Sequence, residues 1–117
     1  MSDRNEVLQK MSDVYGDLIE AKSYLDASRL KYKNAVSQHR NYDFEISRLI
    51  NELRYDDTAS EFEIIGKLSQ AYRQDKEIES SIPELEKNYR DNMNKFESLI
   101  QTMNKIIEEL KSFSEEE

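Results

Sequence analysis

The sequence predicts an all-α protein, an antiparallel two-helix coiled-coil hairpin, and three observations carry that expectation. Only two glycines and one proline occur in 117 residues, too few turn formers for an all-β chain. Apolar residues recur at alternating steps of four and three over nearly the whole length, the heptad of a coiled coil. One short cluster of turn-forming residues, Tyr55-Asp56-Asp57-Thr58-Ala59-Ser60, interrupts that pattern near its centre.

The first helix is expected over about 3–55. Its seam positions run Val7, Met11, Val14, Leu18, Ala21, Leu25, Ser28, Tyr32, Ala35, His39, Tyr42, Ile46, Leu49 and Leu53 without a skip. The turn falls at about 56–60, where Thr58 with Glu61 or Ser60 with Glu63 fits a capping box, a hydroxyl taking an orphan amide while the glutamate reaches back. The second helix is expected over about 61–113, with seam positions Ile64, Leu68, Ala71, Asp75, Ile78, Ile82, Leu85, Tyr89, Asn92, Phe96, Leu99, Met103, Ile106 and Leu110. Residues 114–117, ending in three glutamates, read as a solvated acidic tail. The whole chain, 1–117, reads as one helical-hairpin domain, each helix roughly 75 Å long.

A connection this short forces the second helix back antiparallel to the first. Facing residues then have numbers with a constant sum, and every seam pair from Leu53 with Ile64 to Val7 with Leu110 sums to 117. The layers are sterically sensible: Ala21 faces Phe96, Ser28 faces Tyr89 and Ala35 faces Ile82, small against large as close packing requires. Tyr42 falls opposite Asp75, where a phenol can satisfy a carboxylate that is costly to bury alone. Pro83 removes a backbone donor and crowds the carbonyl four residues back, so the second helix is expected to kink or break there. Ser81-Ile82-Pro83-Glu84 also reads as a fresh capping box with proline in its first turn.

With Val7 and Ile64 at d positions, the two flanks of the seam differ. The g flank is polar, and its register offers Lys10 to Glu109 and Glu52 to Lys67. The e flank is apolar: Leu8, Tyr15, Val36 and Ile50 on one helix, Ile65, Tyr72, Met93, Ile100 and Ile107 on the other. An apolar patch beyond the hairpin's own seam marks an interaction surface. The expected function is therefore a non-enzymatic protein–protein interaction module. Its contact residues are Leu8, Tyr15, Ile50, Ile65, Tyr72, Ile100 and Ile107, and its partner is another protein or a second copy in a helical bundle. The alternative use of the same residues is to broaden the hairpin's own seam.

Other functions find little footing. There is no cysteine and one histidine, so no thiol chemistry and no histidine pair for a metal site are available. His39 and Asp75 can approach one another, but no nucleophile is posed beside them, and neither glycine sits in a phosphate-cradling loop. No enzyme, cofactor or metal is expected. Arg29, Lys31, Lys33 and Arg40 form a basic stretch, but the facing segment holds Glu77, Glu79, Glu84 and Glu86 and the net charge is -8. Nucleic acid is therefore not an expected partner. No apolar run spans a membrane and the first residues show no signal-peptide core, so a cytoplasmic location is expected.

Asp43 to Glu79, with its charged helix, short acidic turn, Gly-x-x-x-x-x-Tyr-Arg and second charged helix, resembles small all-helical coiled-coil proteins of bacteriophages and prophages. That resemblance implies a mobile-element origin, a non-enzymatic role such as adaptor, inhibitor or assembly scaffold, and location in the host cytoplasm. A rival resemblance is to a β-type prefoldin subunit, because Glu61-Phe62-Glu63-Ile64-Ile65-Gly66-Lys67-Leu68 is similar to that family's first strand. It implies a chaperone subunit with a β-hairpin between its helices. A further alternative, an acidic mimic of DNA, requires carboxylates on one continuous face, whereas here they spread over b, c and f positions among lysines.

Overall fold

The computed structural model describes residues 3–55 and 61–115. Two long helices account for them, α1 over Arg4–Tyr55 and α2 over Glu61–Glu115, and no strand occurs among the described residues. The segment 61–68, where the prefoldin resemblance implies a strand, is helix. The expected turn at 56–60, and with it both candidate capping boxes, lies outside the described residues.

Helix α1 begins on Asp3, whose Oδ1 accepts from the Asn5 amide at 2.6 Å while its carbonyl accepts from the Glu6 and Val7 amides. That is the work of an N-cap aspartate, satisfying donors that the first turn leaves without helical partners. Glu6 in the first turn and Arg54 in the last oppose the helix dipole with the favourable signs, as do Glu61 and Glu63 at the start of α2. Helix α2 runs two residues beyond the expected 113, so Ser114 and Glu115 are helical rather than tail. Within that last turn the Ser112 hydroxyl donates to the Glu109 carbonyl, and Lys111 pairs with Glu108 at 3.4 Å.

Pro83 lies inside α2 without breaking it. It is exposed, at a b position, so its ring costs a backbone bond but displaces no seam side chain. The Ser80 and Ser81 hydroxyls donate back to the carbonyls of Glu77 and Ile78, at 2.8 and 2.7 Å. Ser81 is thus turned toward the preceding turn of one continuous helix, and the capping box expected there does not start a new one.

The described residues pack as two compact units. The first joins α1 up to Arg29 with α2 from Lys87 onward; the second is Leu30–Glu86. In both, burial follows the heptad. None of the 28 seam positions is exposed, and every described residue that is buried or half-buried stands at an a, d, e or g position. The buried apolar residues are all at d: Val7, Ala21 and Ile106 in the first unit, and Ala35, Leu49, Ile64 and Ala71 in the second. Fully burying Leu49 or Val7 contributes about 1.5–3 kcal/mol each relative to exposure. Ser28 joins the d row of the first unit, its hydroxyl satisfied by the Leu25 carbonyl at 3.0 Å. No buried side-chain polar atom among the described residues lacks a partner.

Candidate functional site: the e face and its polar centre

On a helical wheel the a positions adjoin e, and the d positions adjoin g. The large aliphatics at a, among them Leu18, Leu25, Ile46, Leu53, Leu68 and Leu110, are all half-buried, and the sole buried a residue is Asp75. The seam is therefore closed along d and left partly open along a, which is the side that continues into the e positions.

The predicted contact residues divide between the units. In the first, Tyr15 and Ile100 are exposed while Leu8 and Ile107 are half-buried. In the second, Ile50, Ile65 and Tyr72 are exposed. The e face thus has two kinds of member: some broaden the hairpin's own seam, and others stay in water. Two residues that the heptad reading did not single out extend it. Ile19 and Phe62 stand at b positions, next to e on the wheel, and both are exposed. Seven of the eleven exposed large hydrophobics among the described residues are at e or b: Tyr15, Ile19, Ile50, Phe62, Ile65, Tyr72 and Ile100. The signal for Ile19 and Phe62 was present in the sequence, because an apolar b residue one turn from an apolar e residue widens the same stripe.

The opposite side is polar and grooved. In the first unit a shallow depression is lined from α1 by Lys10, Asp13 and Val14 and from α2 by Thr102, Ile106 and Glu109. Lys10 and Glu109, expected to face each other, share that depression. In the second unit the Tyr42 hydroxyl donates to Gln74 Oε1 at 2.9 Å, a d residue reaching a g residue across the hairpin. The expected Glu52–Lys67 pair is replaced: Arg48 takes Glu52, and Glu63 takes Lys67 at 3.6 Å, each within its own helix. Pairs one turn apart on a helix need less side-chain ordering than a reach across the seam.

Tyr42 does not serve Asp75; His39 does. His39 Nδ1 lies 2.6 Å from Asp75 Oδ1, and its Nε2 lies 3.5 Å from Asp43 Oδ2. The reason is positional. His39 and Asp75 are both a residues of successive layers, so they approach diagonally on the e side, whereas Tyr42 at d leans to the g side. Asp75 is 3% exposed, the most deeply placed ionisable group described, and a buried carboxylate requires a strong partner. The hydrogen bond to Asp75 raises the His39 pKa above its ordinary value. Partial desolvation opposes that shift, and the charges of Asp75, Asp43 and Glu79 add to it. In the second unit the e face therefore has a polar centre, with Val36 and Tyr72 at neighbouring e positions. No described helix is long and apolar enough to cross a membrane.

No protein-family model, curated protein or solved structure matches the chain.

Proposed function

We propose that the chain is a protein–protein interaction module that docks through its e face on a second copy of itself, forming a helical bundle. The observation that carries this reading is the concentration of exposed large hydrophobics at e and b, beside a residues that the hairpin leaves half-open. Two helices can cover only one side of their seam, and helical surfaces of the same kind supply the ridges and grooves that cover the other.

The charges at e positions favour a copy as the occupant. Both signs occur there: Lys22 in the first unit, Asp43 and Glu79 in the second, while Arg29 and Glu86 face each other within the chain's own register. A second copy brings both signs to the same face, so opposite charges can be set together. Such complementarity fixes orientation and suppresses wrong partners more than it adds affinity.

Sedimentation of the untagged chain tests this. The wild type should exceed its 13.9 kDa monomer mass in a concentration-dependent way. The Tyr15→Glu, Ile100→Glu double variant should run as a helical monomer, its dissociation constant raised at least about tenfold. Tyr24→Glu, an equally exposed aromatic at a g position, should associate as the wild type does. A wild type that is monomeric at every concentration, or a Tyr24→Glu variant as dissociated as the double variant, defeats the reading. Capture of a foreign helical protein by the monomeric wild type would assign the face to that partner instead.

A further inference from the structure

We propose that His39 Nε2 and Asp43 form the protein's half of a binding site for a divalent transition-metal ion of the zinc class, with Asp75 holding the imidazole from behind. All three residues belong to the second unit, and one candidate ligand atom from each lies within 4.8 Å of the others.

The two distances around the ring differ in kind. Asp75 Oδ1 stands 2.6 Å from Nδ1, a hydrogen-bond separation and too close for two donors on one tetrahedral ion. Two ligands bound at about 2.0–2.1 Å with a tetrahedral angle stand about 3.3–3.4 Å apart, and Asp43 Oδ2 stands 3.5 Å from Nε2. An ion fits between Nε2 and Asp43 with a small side-chain adjustment, and it does not fit between Nδ1 and Asp75.

Asp75 has the complementary task. Accepting from Nδ1–H fixes the neutral ring in the tautomer whose Nε2 lone pair is free, the carboxylate–histidine–metal arrangement that orients the ligand and raises its basicity. Asp75 is held by burial on α2, and His39 and Asp43 are one turn apart on the same face of α1. The Asp43 side chain is 61% exposed and that of His39 29%, so the ion enters from water and water completes its coordination. An imidazole nitrogen with a carboxylate selects zinc, nickel or copper over magnesium and calcium. The site needs no residue of another copy, but Asp43 is also one of the e charges that docking on a second copy would use, so the site is most accessible in the monomer.

The chain has a single histidine, so ring-specific 15N NMR reads the site directly. Zn2+ added to the untagged protein at mildly alkaline pH should move the Nε2 resonance, leave the proton on Nδ1 and raise the thermal midpoint, while Mg2+ does neither. Asp43→Asn should weaken Zn2+ binding at least about tenfold, Asp75→Asn about 10–100-fold, and His39→Gln should abolish it. Circular dichroism shows whether each variant remains helical; should Asp75→Asn unfold, the exposed Asp43→Asn carries the test alone. The Tyr15→Glu, Ile100→Glu variant should bind Zn2+ at least as tightly as the wild type does. A Zn2+ response at Nδ1 instead of Nε2, binding unchanged in Asp43→Asn or retained in His39→Gln, binding lost in the double variant, or no response to millimolar Zn2+ would each overturn the assignment.

Discussion

In Leu49–Ile50 and again in Ile64–Ile65 the chain sets two large aliphatics side by side, and the first is buried while the second is open. Leu49 is 1% exposed and Ile50 41%; Ile64 is 4% exposed and Ile65 52%. Hydrophobicity is the same within each pair. Only the angle differs, about 100° around the helix axis from d to e, and it separates the residues that hold the hairpin together from those available to something else. The polar g side shows the complement: it lies beside d as e lies beside a, yet it carries Lys10, Glu109 and the Tyr42–Gln74 hydrogen bond, polar groups that water solvates.

The sharpest way to break this comparison is to truncate both members of one pair. Leu49→Ala should cost about 2–5 kcal/mol, the loss of buried methyl groups plus the cavity they leave. Ile50→Ala should cost less than about 1 kcal/mol in a monomeric background, since part of that side chain is already in water. Urea denaturation of the two variants in the Tyr15→Glu, Ile100→Glu background isolates the intrachain effect. Equal losses would show that e residues are as much a part of the seam as d residues, and the docking face would lose its basis.

A smaller effect is expected on the g side. Tyr42→Phe removes the hydroxyl that donates to Gln74 but keeps the ring at its d position, so it should cost about 0.5–1.5 kcal/mol. The bond is solvent-exposed, which places the expectation at the lower end of that range. The association behaviour should not change. A Tyr42→Phe variant that dissociates the oligomer would move the contact surface from the e side to the g side.

The heptad made the fold and the division into faces legible, because burial in a two-helix hairpin depends on little besides position on the wheel. Each seam residue from Val7 to Leu53 and from Ile64 to Leu110 is at least half-buried for that reason. What the heptad did not disclose depends on which way a side chain leans. Equating facing positions paired Tyr42 with Asp75, but an a residue reaches another a residue of the next layer more readily than it crosses to d, so His39 took the carboxylate. The Glu52–Lys67 pair failed on competition, as Arg48 and Glu63 offered the same charges one turn away. Ser81 failed as a cap because a hydroxyl in a continuing helix finds the carbonyl three residues back. The approach of His39 to Asp75 was legible, since both are seam residues of adjacent layers; the candidate metal site was not, because its ligand distance depends on how the Asp43 side chain leans toward Nε2.

The smallest expected effect offers a background in which the others can be measured cleanly. Gly16 and Gly66 both stand at f positions, away from e and g alike, in the interior of helices, and a Cβ built on either meets nothing within 4 Å. Neither residue has positive φ, so neither uses the conformational freedom that glycine alone possesses. Replacing each with alanine should therefore stabilise the helix by about 0.5–1 kcal/mol, through lower backbone entropy in the unfolded chain and better helix propensity. Because an f side chain touches neither face, association and Zn2+ affinity should be unaltered while the thermal midpoint rises. A midpoint that falls in Gly16→Ala or Gly66→Ala would mean that something packs on the f side in solution, and the docking surface would then have to be sought there.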